Sequence, residues 1–234
     1  MLNILFSPKW FYGKDIIIDI VSIFVLLLIA YFNMQYYKLD RRKKGHMFFS
    51  VATSFLALSF FFKIITNFTL YQYVLEKKQF GLMTIIYQTV QYSDTLFLVG
   101  TLLFRLFTLL GFYILFSIYC KKQQKPIYFL IIYFIIMITY FTLSEYHVFH
   151  LTTLILLLFL IKKYYDNYLK TKDKPAGLIF WSFLTIALSQ LIFIFIGINN
   201  TFYVVAESVQ LFGYLLLVIS FIMVRKYGKK KNSS

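Results

Sequence analysis

The chain alternates long apolar runs with short polar stretches that are mostly basic. Seven runs are long enough to form a membrane-spanning helix, since the hydrocarbon core of a bilayer requires about 20 helical residues. The predicted spans are residues 15–37, 46–68, 92–119, 126–145, 146–165, 175–197 and 201–224. The pattern therefore predicts an all-α membrane protein, with one seven-helix domain covering residues 1–234.

The segment between the second and third spans, residues 69–91, fits this pattern least well. Its apolar part, FGLMTIIY, is too short to cross a bilayer. We therefore expect this segment to lie at the membrane interface or to fold over the outer face.

The composition supports a membrane protein, with 60% hydrophobic and only 14% charged residues. The spans leave no room for a soluble catalytic domain. Cys120 is the single cysteine, which excludes an internal disulfide and a cysteine-rich metal site. The three histidines, His46, His147 and His150, are predicted on both sides of the membrane. No metal site or other cofactor is therefore expected.

The basic residues are distributed very unevenly between the two predicted sides of the membrane. Four stretches, which follow the first, third, fifth and seventh spans, hold 18 of the 24 lysine and arginine residues. Positively charged loops stay on the inner side, so the N-terminus is predicted outside and the C-terminus inside, as an odd number of spans requires. The cytoplasmic (plasma) membrane is the expected location.

The same charge distribution bears on the partners of the protein. The basic residues form short runs between apolar segments and are not gathered on one surface, so nucleic acid is not an expected partner. We expect the lipid bilayer to surround the helices and anionic lipid head groups to contact the basic inner loops. A cytoplasmic or membrane protein could also bind those loops.

Polar residues within the predicted spans are the candidate site. A charged side chain at the bilayer centre costs about 2.5–3.5 kcal/mol on insertion scales, so such residues should face the bundle interior and find partners there. Several of them fall in the predicted outer half of the membrane. The candidate ligand or ion site comprises Asp19, Lys63, Asp94, Arg105, Gln190, Glu207 and Gln210.

Lys63 is predicted to pair with Glu207 and with either Asp19 or Asp94, because closure of the bundle places the seventh span beside the first two. Replacing only one of Lys63 and Glu207 should then be worse than replacing both, since a buried charge would be left alone. Asp15, one turn before Asp19, is expected at the interface. The cluster could line a cavity or only fix the packing of the helices.

Arg105 is predicted to lie about 16 Å deeper than Asp94, at 1.5 Å per helical residue. That depth is too great for a direct ion pair. A lone deep guanidinium requires an anion, a carbonyl group or water, so Arg105 is expected to face a second, central chamber with Thr101 and Thr108.

The layout of seven spans, with a long loop after the second, resembles that of microbial rhodopsins. The string YSD at Tyr92–Asp94 is similar to the Tyr-x-Asp of the counter-ion position in their third helix. FWS at Phe180–Ser182 is similar to the region of their sixth helix that packs a tryptophan on retinal. The retinal-binding lysine would fall near Val209 or Gln210, and the seventh span has none. The resemblance thus implies a small prokaryotic seven-helix protein without covalent retinal.

Together these patterns favour a receptor-like or sensor-like membrane protein with an outward-facing polar site for a small ligand or ion. A small transporter, or a proton or ion conductor, could use the same buried charges. A structural subunit of a membrane complex is a further alternative. An enzyme is less favoured, because no nucleophile and base can be matched.

The predicted orientation can be tested by labelling with membrane-impermeant thiol reagents. Cysteines introduced at Lys43, Lys122 and Lys170 should react only from the inner side, because all three positions lie in the basic stretches. Reaction from the outer side at any of them would overturn the orientation.

Overall fold

A computed structural model describes residues 7–11, 13–42, 44–79, 86–118, 125–142 and 145–231. Side chains are described within these ranges except at residues 9, 70–79, 86–94, 125–128 and 225–231. The described residues form seven α-helices and contain no β-strand. The helices are α1 (Lys14–Leu39), α2 (Lys44–Gln79), α3 (Ile86–Ser117), α4 (Lys125–Phe141), α5 (Tyr146–Thr171), α6 (Lys174–Ile194) and α7 (Thr201–Lys231).

The predicted all-α class is confirmed, and each of the seven predicted spans coincides with a helix. Six of the described helices are long and apolar enough to cross a membrane, as expected of an integral multi-pass membrane protein. Helix α4 is the exception. It has 17 residues and a described apolar part of only Phe129–Phe141, and its length of about 26 Å is slightly less than the hydrocarbon thickness.

The expectation for residues 69–91 is wrong over most of that segment. Helix α2 continues to Gln79 and α3 already begins at Ile86, and only residues 80–85 between them lie outside the described structure. Helix α2 has 36 residues, or about 54 Å at 1.5 Å per residue, and must project beyond the hydrocarbon core. Helix propagation has extended both spans past the ends of their apolar runs.

The helices run alternately in opposite directions. Phe104 of α3 packs on Phe149 of α5, and Phe116 packs on Phe159. The later residue of α3 thus packs on the later residue of α5, which shows that α3 and α5 are parallel. Helix α4, which connects them, must therefore run in the opposite direction. We call the end of the bundle where α1, α3, α5 and α7 begin the first end, and the opposite end the second end. The four basic stretches lie at or just after the C-terminal ends of these four helices and therefore belong to the second end.

The bundle closes where α7 packs against α1, and side chains of α2 reach across to α7. Phe60 and Phe49 of α2 make edge-to-face contacts with Tyr214 and Phe221 of α7. Helix α4 lies outside this ring, packed on α3 and only lightly on α5. Which end of the bundle faces outward remains a prediction from the charge asymmetry.

The largest apolar core fills the half of the bundle nearer the second end. Leu26, Leu56, Phe112, Leu157 and Phe183 are among its fully buried members. The interior of the other half contains most of the buried charged side chains, beside a smaller apolar cluster that includes Phe11, Phe193 and Ala206. Numerous large apolar side chains are exposed on the outer surface of the bundle, where a bilayer would cover them.

Glycine allows α6 and α7 to approach closely at one point. A Cβ atom added to Gly213 would lie 2.6 Å from Ile186 Cγ1 and 3.2 Å from the carbonyl oxygen of Ser182. At 2.6 Å the Ile186 side chain must move, and at 3.2 Å the backbone carbonyl of Ser182 must shift by a few tenths of an ångström, which it cannot do by rotating as a side chain could.

Gly213→Ala should therefore destabilise the protein by about 1–3 kcal/mol, the usual cost of overpacking. Gly45→Ala is the matched control, because its added Cβ would lie 3.5 Å from Ile118 Cγ2 in ordinary contact. The control should be neutral or stabilising by up to about 1 kcal/mol through helix propensity. Thermal unfolding in detergent would measure both variants, and equal melting temperatures would contradict the close approach.

Candidate functional site

A buried ion triad joins α1, α2 and α7. Lys63 Nζ lies 2.8 Å from Asp19 Oδ1 and 2.5 Å from Glu207 Oε1. The two carboxylates are fully buried and Lys63 is nearly so. The predicted pairing of Lys63 with Glu207 is thus present, and the second carboxylate is that of Asp19. The side chain of Asp94 lies outside the described part of the structure.

The triad follows from the antiparallel packing of α1 and α2. Asp15 and Asp19 are four residues apart on α1, and Lys63 and Asn67 are four residues apart on α2. Opposed helices therefore pair Lys63 with Asp19 and place Asn67 beside Asp15, where Asn67 Nδ2 donates to Asp15 Oδ2 at 3.1 Å. The sequence signal for these two contacts was the equal i, i+4 spacing of the polar residues on the two helices.

Asp15 lies in the first turn of α1, and its expected location at the membrane interface stays a prediction. Its side chain is fully buried. Besides the bond from Asn67, it accepts a 3.4 Å hydrogen bond from the Tyr203 hydroxyl of α7. Tyr203 also lies next to Glu207. The first turn of α1 is thus covered by α7, which a sequence-based estimate of depth does not include.

A cavity of about 120 Å³ lies between α2, α3, α5, α6 and α7. It exceeds the roughly 30 Å³ that a water molecule occupies in the liquid, so it can hold several waters or a small ligand. Lys63 and Glu207 form part of its wall, whereas Asp19 lies behind Lys63 and outside the lining. The other polar lining residues are Ser59, Thr66, Asn67, Thr101, Arg105, Thr108, Tyr146, His150, Gln190, Tyr203, Gln210 and Tyr214.

Arg105 is part of this cavity, and the expected second chamber is therefore wrong. Gly100 of α3 approaches Thr66 of α2, so helical rise places Arg105 only roughly 3 Å deeper than Lys63. The prediction had placed Lys63 at the depth of Asp94 and Arg105 far below both. Because α2 continues toward the first end well beyond its predicted limit, Lys63 lies deeper in the bundle than expected, close to the level of Arg105. Arg105, Thr101 and Thr108 share one chamber with the triad.

The surroundings of Arg105 differ from those of Lys63. Its guanidinium group, on a residue only 8% exposed, donates from Nη1 to the carbonyl oxygen of Thr142 at the end of α4. The guanidinium carbon lies 5.6 Å from the ring centre of Phe149, a cation–π contact. Arg105 forms no ion pair with any described residue.

Gln190 and Gln210 also reach the cavity, as the position of their helices predicted. Gln190 Oε1 lies 2.8 Å from His150 Nδ1, and Gln210 Nε2 donates to the Tyr214 hydroxyl at 3.4 Å. His150 and Tyr214 were not among the candidate residues. His150 shares a helical face with His147, but its inward position depends on α6, against which it stacks through Phe193 at 4.7 Å.

Thr101 is another residue of the cavity wall whose hydroxyl is distinctive. Most buried threonines of the bundle donate to the carbonyl oxygen four residues earlier, as Thr66 and Thr108 do. Thr101 Oγ1 is buried and has no hydrogen-bond partner among the described residues. An unsatisfied buried hydroxyl costs about 1–3 kcal/mol, so this group is a site for a polar ligand atom or water.

One local feature that resembles microbial rhodopsins, the tryptophan of α6, does not reach the cavity. Trp181 is 56% exposed on the outer face of α6 and does not line the cavity, so it cannot pack a chromophore there. The side chains of Tyr92–Asp94 lie outside the described residues. Within the described chain, no group of three or more histidine, cysteine, aspartate or glutamate residues is arranged to hold a metal ion.

The triad changes the expected effect of removing its charges. Lys63→Met leaves Asp19 and Glu207 facing each other and should cost about 3–5 kcal/mol, as for a broken buried ion pair. Glu207→Gln still leaves the Lys63–Asp19 pair and should cost least. The double variant should be more stable than Lys63→Met alone, because it buries one uncompensated carboxylate instead of two.

Thermal unfolding of the three variants in detergent would test this order. Lys170→Met, at an exposed position of α5, controls for the loss of a lysine and should be nearly neutral. Stability losses that simply add in the double variant would show that Lys63 and Glu207 are not coupled.

Comparisons of the chain with known proteins gave no match to a protein family, to a curated protein or to a solved structure. The function is therefore inferred from the residues of the cavity and their surroundings. Three features of this site support the inference: the charge-paired triad, a guanidinium group with no carboxylate partner among the described residues, and the cavity beside them.

Proposed function

We propose that the protein is a receptor-like or sensor-like membrane protein whose intramembrane cavity binds a small ligand or ion from the outer side. One observation carries this proposal. The cavity wall contains Arg105, a buried cation with no carboxylate partner among the described residues. A bound ligand would provide the partner that Arg105 lacks.

The alternative of a network that only fixes helix packing accounts for part of the site. It explains the triad, in which Lys63 contacts two carboxylates and ties α1, α2 and α7 together. It does not explain Arg105 or the unpartnered Thr101 hydroxyl. A packing network that leaves polar groups unsatisfied destabilises the fold, whereas a binding site keeps such groups for its ligand.

The position of the largest apolar core suggests from which side of the membrane a ligand enters the cavity. Tightly packed apolar residues fill the half of the bundle nearer the second end, and the cavity lies on the other side of this core. The charge asymmetry predicts that the second end is cytoplasmic. A ligand would then enter from the outside.

Signalling would require a partner protein. The basic stretches at the second end are the proposed contact for a cytoplasmic or membrane protein. They would also contact anionic lipid head groups of the inner leaflet.

Transport of a proton or ion is the second candidate function. Two carboxylates and one ammonium group form the triad, and its Lys63 and Glu207 members line the cavity together with His150. Because two carboxylates share one ammonium group, one of the carboxylates could take up and release a proton. Flux measurements in liposomes separate the two functions, since a sensor would give no flux that depends on Glu207.

Accessibility of the cavity gives the direct test. In a variant in which Cys120 is replaced by serine, Thr101→Cys should react with small water-soluble methanethiosulfonate reagents added from the outer side. The reaction is expected because Thr101 lines the cavity and its hydroxyl has no hydrogen-bond partner among the described residues. Mass spectrometry of the intact protein would measure the modified fraction.

Ser182→Cys in the same background is the matched control. Ser182 is a small polar residue that is fully buried in α6 and does not line the cavity, so its thiol should stay unmodified. Failure of Thr101→Cys to react from the outside would contradict an outward-facing site.

A further inference from the structure

The structure points to a ligand class: we infer that the cavity binds a small organic monocarboxylate, whose carboxylate group pairs with Arg105 and whose apolar part lies against phenylalanine rings. This inference rests on the proposed function, because it assumes that a ligand enters the cavity. Beyond the proposed function, it specifies the charge and the shape of that ligand.

The guanidinium group of Arg105 is held in a fixed orientation. The Thr142 carbonyl accepts a hydrogen bond from Nη1, and the Phe149 ring lies 5.6 Å from the guanidinium carbon. These two contacts use one of the five N–H groups and leave the rest for a ligand. The planar fork of donors matches the two oxygens of a carboxylate, which it binds through two parallel hydrogen bonds.

Thr101 offers a second donor for the same group. It lies four residues before Arg105 on α3 and thus on the same helical face, one turn nearer the first end. Its Oγ1 is buried and unpartnered, and the residue lines the cavity. A carboxylate on Arg105 could therefore also accept a hydrogen bond from Thr101 or reach it through a water molecule.

The charges around the cavity select a ligand with one negative charge. Lys63 already contacts Asp19 and Glu207, so Arg105 is the remaining cation of the described lining. Glu207 belongs to the same wall and repels a second negative charge. A phosphate or dicarboxylate would bring a second negative charge that no described cation of the lining is left to pair with, whereas the single charge of a monocarboxylate pairs with Arg105.

The rest of the lining favours an apolar body on this ligand. Phenylalanine rings from α3, α5 and α6 line the cavity, namely Phe97, Phe104, Phe149 and Phe193. These rings cannot hydrogen-bond an inorganic ion, but they gain by covering a phenyl or alkyl group. The volume of about 120 Å³ restricts the ligand to a small molecule.

Calorimetric titration of the protein in lipid nanodiscs tests this inference. The probes are benzoate and butyrate, with benzamide and butylammonium as matched molecules that lack the negative charge, and sodium chloride as the inorganic anion. Benzoate and butyrate should bind, and acetate should bind more weakly than butyrate because it has less apolar surface. Benzamide should bind at least about tenfold more weakly than benzoate, since hydrogen bonds to a charged group are the stronger ones.

Three variants test the residues. Arg105→Gln should weaken benzoate binding by about 10- to 100-fold, the range for a lost charged hydrogen bond, and Arg105→Lys should weaken it less because the charge remains. Thr101→Val should cost about two- to tenfold. Lys170→Gln, on the exposed surface of α5, removes a positive charge outside the cavity and should leave binding unchanged.

Other outcomes would overturn the inference. Equal binding of benzamide and benzoate, preference for butylammonium, or chloride binding without any gain from an apolar group would each show that the ligand class is wrong. If Arg105→Gln does not fold, equal affinities of wild type and Arg105→Lys for benzoate would exclude a bidentate contact. Any of these results combined with outer labelling of Thr101→Cys would refute only the monocarboxylate, whereas absence of that labelling would refute the proposed function.

Discussion

The contact of Lys63 with Asp19 and Glu207 is the constraint on which the interior of this protein depends. A lysine ammonium within an apolar bundle is tolerated only when opposite charges surround it. Here those charges come from the first and last helices of the chain. The triad therefore fixes α1, α2 and α7 relative to one another at one depth, and this closure of the bundle shapes the half in which the cavity lies.

The triad and Arg105 represent two different solutions for a buried cation. Lys63 is neutralised by its own chain and can contribute to stability without any ligand. Among the described residues, Arg105 contacts a carbonyl oxygen and an aromatic ring, which orient the guanidinium group but do not balance its charge. This difference within one cavity separates the residues that hold the bundle together from those that we propose to contact a ligand.

The periodicity of apolar runs was sufficient to predict seven helices, and the i, i+4 spacing of Lys63 and Asn67 identified the polar stripe of α2. Helix ends were less predictable, because α2 and α3 continue past their apolar runs. This error placed Arg105 in a separate chamber. The burial of Asp15 and the inward position of His150 depend on Tyr203 and Phe193 from other helices, and no local pattern contains that information.

The central claim is that Arg105 holds a carboxylate within the cavity. A crystal structure of the protein with 4-bromobenzoate would test it most directly, because the anomalous signal of bromine locates the ligand independently of any assumed pose. We expect the bromine among the phenylalanine rings and the carboxylate oxygens within hydrogen-bonding distance of the guanidinium group. A cavity occupied only by water at saturating ligand, or a ligand bound with its carboxylate away from Arg105, would contradict the account.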